Sequence, residues 1–205
     1  MDETKPAPEP LGPRFREALD YAARLHETQA RKGGSVPYVA HLLAVTALVL
    51  ENGGDEDLAI AALLHDAVED QGGARTLAKI RADFGDRVAD IVEACSDTDA
   101  TPKPPWRERK EAYLAHLRDA EQDVLLVSLS DKLHNARSIL MDYRAVGPDL
   151  WERFKAGRDG QLWYYRELVS IFRRQSERQE LVAELERVIA TLEQEIRDRE
   201  GPARG

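Results

Sequence analysis

The run AALLHDAVEDQGG, residues 61–73, sets four apolar residues directly before His65-Asp66 and brings in Glu69-Asp70 after a gap of two. A stretch that apolar belongs in a core. It therefore carries one imidazole and three carboxylates into the interior or to its edge. Burying a carboxylate without a partner costs several kcal/mol or forces it to take up a proton. A fold built around this segment needs a cation beside it.

The chain around it reads as helix after helix. Phe15–His26 puts Phe15, Leu19, Ala22 and Leu25 on one face at helical spacing. QARKGGSVP interrupts, and Pro37 suits the first turn of the next helix, YVAHLLAVTALVL, which is apolar nearly all round and so central. DEDLAIAALLHDAVED predicts one continuous third helix, with acidic residues in its first turn and Gly72-Gly73 as its stop. TLAKIRADFG and DRVADIVEACS follow, parted at Gly85. DTDATPKPP is the clearest internal loop. WRERKEAYLAHLRD, EQDVLLVSLSDKLHNARSILMDY and GQLWYYRELVSIFRRQ are helical, with a turn at Gly147-Pro148. From Ser176 to about Glu200, the residues Leu181, Leu185, Val188, Leu192 and Ile196 form a stripe. The expected architecture is all-α, roughly eight to ten helices with a long C-terminal one.

A tail over residues 1–13, rich in proline and acidic groups, reads as disordered, as do residues 201–205. Residues 14–175 form the domain, and 176–200 pack on it or on a partner. The start of the chain lacks the basic and apolar run of a signal peptide, and no apolar stretch reaches membrane-spanning length. The expected compartment is the cytoplasm. A net charge of −9 argues against a general nucleic-acid or membrane surface. The single cysteine, Cys95, has no disulfide partner in the chain and reads as a small buried hydrophobe.

His41, His65, Asp66 and Asp131 each occupy the apolar part of a helix. Any one alone would be explained by an ordinary buried hydrogen bond. Together, two imidazoles and two carboxylates from three helices make a mixed nitrogen and oxygen set suited to a divalent first-row ion. Such an ion offsets the buried negative charge. On a helix, Glu69 and Asp70 lie one turn after His65 and Asp66, within reach of a water near the ion.

The order H…HD…D resembles the HD-domain metal-dependent phosphohydrolases. QARKGGSVPYVAH, LLHDAVED and SDKLHNAR are similar to three motifs of the RelA/SpoT-type (p)ppGpp hydrolases. With no synthetase or regulatory region in the sequence, the chain resembles the small alarmone hydrolases over about residues 15–140. The resemblance implies one manganese ion held by His41, His65, Asp66 and Asp131. It implies that Glu69 and Asp70 orient and deprotonate an attacking water, that Arg31 and Lys32 hold the nucleotide, and that Asn135 contacts its sugar. Tyr38 and Arg137 fall in matched motifs with less defined duties. The implied reaction removes the 3′-pyrophosphate of ppGpp by attack of a metal-bound water.

The flanks depart from the family pattern. The loop RKGGSVPY is one residue longer, and Thr28, Leu42, Gln71 and Ser138 replace a usual glycine, proline, threonine and threonine. These changes lie near the pocket and bear on substrate identity. Two alternatives stay open: another phosphorylated nucleotide, such as NADPH, a dNTP or a nucleoside monophosphate, and a non-catalytic module that binds a nucleotide or a partner. A second basic cluster, Lys103, Arg107, Arg109 and Lys110, fits a lid or a solvated helix start equally. Trp163-Tyr164-Tyr165 reads as core packing, and His26, His116 and His134 as structural or surface residues. The C-terminal stripe could form a homodimer or fold back. Fold-back is favoured, because five apolar positions make a short seam.

Overall fold

The computed structural model describes residues 11–96 and 104–200. Most of the expected 1–13 tail, the bulk of the DTDATPKPP loop including Lys103, and the 201–205 tail lie outside the described residues. Helices α1 (Pro13–Leu25), α2 (Val39–Glu51) and α3 (Glu56–Leu64) open the fold, followed by the single turn α4 (Ala67–Asp70), α5 (Gly73–Phe84) and α6 (Asp86–Cys95). Then come α7 (Trp106–Leu117), the long α8 (Gln122–Val146), a 3-10 turn (Gly147–Arg153), α9 (Gly157–Gln175) and α10 (Gln179–Glu200). The all-α architecture expected from the sequence is the one observed. Among the described residues no helix is long and apolar enough to cross a membrane.

The centre is α3. Every residue from Leu58 to Leu64 is buried, because α1, α2, α6 and α8 surround it. Asp55 caps its N-terminus by accepting from the Leu58 N–H at 2.9 Å, which satisfies a backbone donor that the helix itself leaves open. Three local expectations need correction. The predicted helix over 55–70 is broken at His65-Asp66, where Asp66 takes φ −96°, ψ −3°. Pro37 lies outside α2: it pairs as an isolated antiparallel bridge with Ala30. Arg31 N–H to Val36 O, 2.8 Å, and Tyr38 N–H to Gln29 O, 2.9 Å, tie residues 29–38 into a short hairpin. Gly72 alone stops α4, at φ +106°, and Gly73 already belongs to α5.

Helix α10 packs along α8 and α9. Leu181, Val182, Leu185, Ile189, Leu192 and Ile196 are buried there. Val188 from the predicted stripe is only partly covered. Charged groups border the seam: Arg137 donates to Glu184, Arg144 to Glu195 at 2.7 Å, and Arg166 to Glu193 at 2.7 Å. Glu200 accepts from Tyr143 at 2.7 Å and from Trp151 at 3.2 Å.

Candidate active site

Helix α2 delivers His41, the α3–α4 break delivers His65 and Asp66, and α8 delivers Asp131. The His41, His65 and Asp66 ligand atoms lie within 4.8 Å of one another. His65 Nε2 is 3.1 Å from Asp66 Oδ2 and 3.6 Å from Asp131 Oδ1. His41 Nε2 is 3.5 Å from Asp66 Oδ2 and 3.2 Å from Asp131 Oδ1. Both Nε2 atoms are buried, and neither forms an aligned hydrogen bond. Buried polar atoms are normally satisfied, so two convergent unsatisfied imidazole nitrogens facing two carboxylates fit a cation held among them.

The outward sides of the rings support the same reading. His65 Nδ1 donates to the Ala62 carbonyl at 2.8 Å, so that in the neutral ring, the form that ligates a metal, Nε2 carries the lone pair. His41 Nδ1 is 2.7 Å from His134 Nδ1. Burial, with His41 and Arg31 nearby, pushes His134 down to about 4. His134 is therefore neutral and can accept the His41 Nδ1–H, leaving His41 Nε2 as the lone pair. In the bare protein, burial pushes Asp66 and Asp131 upward. It is outweighed by the His65 charge and the imidazole contacts at Asp66, and by Lys132 and those contacts at Asp131. Both carboxyls are held well below the usual range.

Asp131 is also the end of a polar chain. Arg31 Nη2 donates to Asn135 Oδ1 at 2.7 Å, and Asn135 Nδ2 donates to Asp131 Oδ1 at 2.5 Å. Lys132 Nζ sits 2.5 Å from Asp131 Oδ2 and over the Tyr113 ring at 5.0 Å. Tyr38 donates to Asp66 Oδ2 at 2.5 Å, and burial beside that carboxylate raises the phenol strongly. From His41 a cleft of about 530 Å³ runs outward, lined by Arg31, Lys32, Lys110, Lys132 and Arg153 together with Tyr38, Trp106, Phe154, Tyr164 and Tyr165. A basic wall interleaved with aromatic rings can hold phosphate groups and a flat base.

Neither Glu69 nor Asp70 is among the residues lining that cleft; both follow Asp66 on the single turn α4. Asp70 accepts from Gln29 Nε2 at 2.8 Å. Partial desolvation raises its carboxyl, the Gln29 bond opposes this, and the Asp66 and Glu69 charges raise it further. Glu69 is half-buried beside it.

The pattern of the HD domain matches residues 18–162, which take in His41, His65, Asp66, Asp131 and the acidic pair. The chain belongs to the HD-domain family. It is 38% identical over 138 residues to the guanosine-3′,5′-bis(diphosphate) 3′-pyrophosphohydrolase MESH1 of Xenopus tropicalis, covering 66% of this chain and 72% of that protein. To the human MESH1 it is 34% identical over 142 residues, covering 68% and 74%. In three dimensions it resembles a metazoan ortholog of SpoT described as hydrolysing ppGpp. The TM-score is 0.74 at 27% identity, covering 90% of this chain and 98% of that one.

Within this HD-domain site the structure brings together His41, His65, Asp66 and Asp131, sets Glu69 and Asp70 beside them, and places Arg31, Lys32, Tyr38 and Asn135 along the cleft. Arg137 is placed elsewhere: its guanidinium pairs with Glu184 of α10. Of the second basic cluster, Lys110 lines the cleft. Arg107 stacks 3.2 Å over Trp163 and pairs with Glu111 at 2.7 Å, and Arg109 donates to Pro104 O at 3.3 Å. Tyr164 and Tyr165 belong to the core and still face the cleft. Sequence reasoning missed His134, Lys132 and Gln29. His134 lies three residues after Asp131, a spacing that shares a helix face and was a usable signal. Lys132 and Gln29 offered none.

Proposed function

We propose that this protein is a manganese-dependent hydrolase that removes the 3′-pyrophosphate of (p)ppGpp, giving GDP and pyrophosphate from ppGpp. The reading is carried by one observation: two unsatisfied imidazole nitrogens converge on two carboxylates at the inner end of a basic, aromatic-lined cleft. The similarity to proteins named as 3′-pyrophosphohydrolases supports this choice of substrate. His41, His65, Asp66 and Asp131 would hold the ion. A divalent ion there supplies Lewis acidity, acidifying water and polarising a phosphoryl oxygen.

The protein's own groups do the rest. Arg31 and Lys32 neutralise the pyrophosphate, and the Tyr38 ring under Arg31, 5.8 Å away, braces that guanidinium. Glu69 and Asp70 orient the attacking water and accept its proton. Water adds at the phosphorus bonded to the ribose 3′-oxygen, that P–O bond breaks, and the 3′-oxygen leaves and takes up a proton. Asn135, fixed by Arg31 and Asp131, presents its amide to the ribose.

The test is purified protein, stripped and reloaded with manganese, incubated with ppGpp and followed by nucleotide chromatography. GDP and pyrophosphate should appear and be lost in Asp131→Ala. Absence of product from metal-loaded protein would refute the substrate assignment.

A further inference from the structure

Gln29 holds the middle of a small network that joins Asp70, Gln71 and His26. Its Nε2 donates to Asp70 Oδ2 at 2.8 Å. Its Oε1 faces two groups: Gln71 Nε2 at 2.8 Å and His26 Nδ1 at 2.7 Å. The two ends of a side-chain amide differ only in chemistry, so the partners decide its orientation. Flipped, the carbonyl would meet the Asp70 carboxylate and the NH2 would meet the Gln71 NH2. Only the observed orientation gives both ends of the Gln29 amide complementary partners, with His26 donating from Nδ1; the buried His26 Nε2 makes no hydrogen bond among the described residues.

His26 is itself fixed. It is 2% exposed and stacked on Tyr38, with ring centroids 5.1 Å apart and planes 19° from parallel. Tyr38 in turn donates to Asp66. The hairpin supports Gln29 through its own carbonyl, which accepts the Tyr38 N–H at 2.9 Å. Asp70 Oδ2 is thereby occupied by a rigid donor, while Oδ1 accepts no hydrogen bond among the described residues.

We propose that Gln29, oriented by His26 and Gln71, is a positioning residue that fixes Asp70 so that Oδ1 is the oxygen presented to the attacking water. The proposal rests on the assignment of Asp70 as a proton acceptor made above. Gln71 stands where the resemblance leads one to expect a threonine, too short to reach the Gln29 carbonyl the same way. This chain therefore holds Gln29 from both sides with residues of its own.

The experiment is steady-state kinetics of Gln29→Met in manganese-loaded full-length protein. Methionine keeps the volume and removes the amide. A hydrogen bond to a charged acceptor is worth about tenfold in an equilibrium. We expect kcat to fall about tenfold, with KM and metal content within twofold of the parent. The acid limb of kcat should move to higher pH, because a carboxylate that loses a donor becomes a weaker acid. Gln71→Ala, which only loosens the amide, should lower kcat by about threefold in the same sense. Unchanged kcat in both variants, or a parallel loss of metal and rise in KM, would overturn the proposal. Should Gln29→Met not fold, Gln71→Ala and His26→Ala decide alone, and unchanged kcat in those two overturns it equally. Asp70→Asn is measured alongside. If it keeps the parental turnover, the Asp70 assignment itself fails, whatever the Gln29 variant does.

Discussion

Replacing Lys132 by methionine tests what balances the buried carboxylates. Its Nζ lies 2.5 Å from Asp131 Oδ2, and the two side chains are only 15% and 7% exposed. At an effective dielectric near 20, such a contact provides roughly 6–7 kcal/mol of gross attraction, much of it offset by stripping water from both ions. Removing one partner leaves the other desolvated, which costs about 3–5 kcal/mol. Asp131 keeps the Asn135 amide at 2.5 Å and both imidazoles, so the lower end, about 3 kcal/mol, is expected. Methionine preserves the stem over the Tyr113 ring, which separates the charge from the packing. With a urea slope of about 2 kcal/mol/M, the midpoint should fall by about 1.5 M in metal-free protein. On the proposed ligation manganese would restore positive charge beside Asp131, so the same substitution should cost about half as much in loaded protein. Urea unfolding followed by far-UV circular dichroism, with chelator or with manganese, measures both. A metal-free shift below about 0.5 M, or an equal shift in the two states, would refute the reasoning.

Glu69→Gln combined with Asp70→Asn should lower kcat by about a thousandfold while metal content, read by atomic absorption, stays at the parental level. Arg31→Ala should raise KM for ppGpp by about tenfold or more and lower kcat less, as initial-rate kinetics will show; an unchanged KM would remove Arg31 from the substrate. At Asp55, burial pushes the carboxyl up, but the Leu58 N–H and Arg87 outweigh it and hold it below its ordinary value. A depressed folded pKa stabilises above the unfolded value, and that contribution is lost as pH falls through the folded one. Asn also caps helices well, so Asp55→Asn removes the charge alone. The side chain is 52% exposed, so the cost at neutral pH should be under about 1 kcal/mol and should vanish in strong acid, read by thermal melts across pH.

What the sequence revealed was what repeats with the helical period. The apolar runs of α2, α3 and α8 predicted helices buried at the centre, and the polar residues within those runs stood out against them. His41, His65, Asp66 and Asp131 could be picked out because each interrupts an apolar pattern that the core requires. Arg137 shares the SDKLHNAR segment with Asp131 and Asn135, yet its partner, Glu184, is 47 residues away on α10. Nothing local to α8 could announce that pairing. Gln29 was hidden for the same reason, since an amide in a charged, polar stretch acquires its meaning from a tertiary neighbour.

The break at His65-Asp66 shows why a correct pattern still gave an incorrect element. On an unbroken helix, consecutive side chains diverge by about 100°, which would send His65 and Asp66 to different faces. The proposed ion needs both at one point: His65 Nε2 and Asp66 Oδ2 are 3.1 Å apart, and each lies within 3.6 Å of a candidate ligand atom on another helix. The chain meets that demand by leaving regular helical geometry at Asp66 and resuming it at Ala67. No glycine or proline marks the place, and the local sequence favours helix throughout. The deviation brings together side chains from α2, the α3–α4 break and α8, with α3 packed against α1, α2, α6 and α8. Glu69 and Asp70 ride on the turn that follows, so the break that joins His65 to Asp66 also aims the acidic pair.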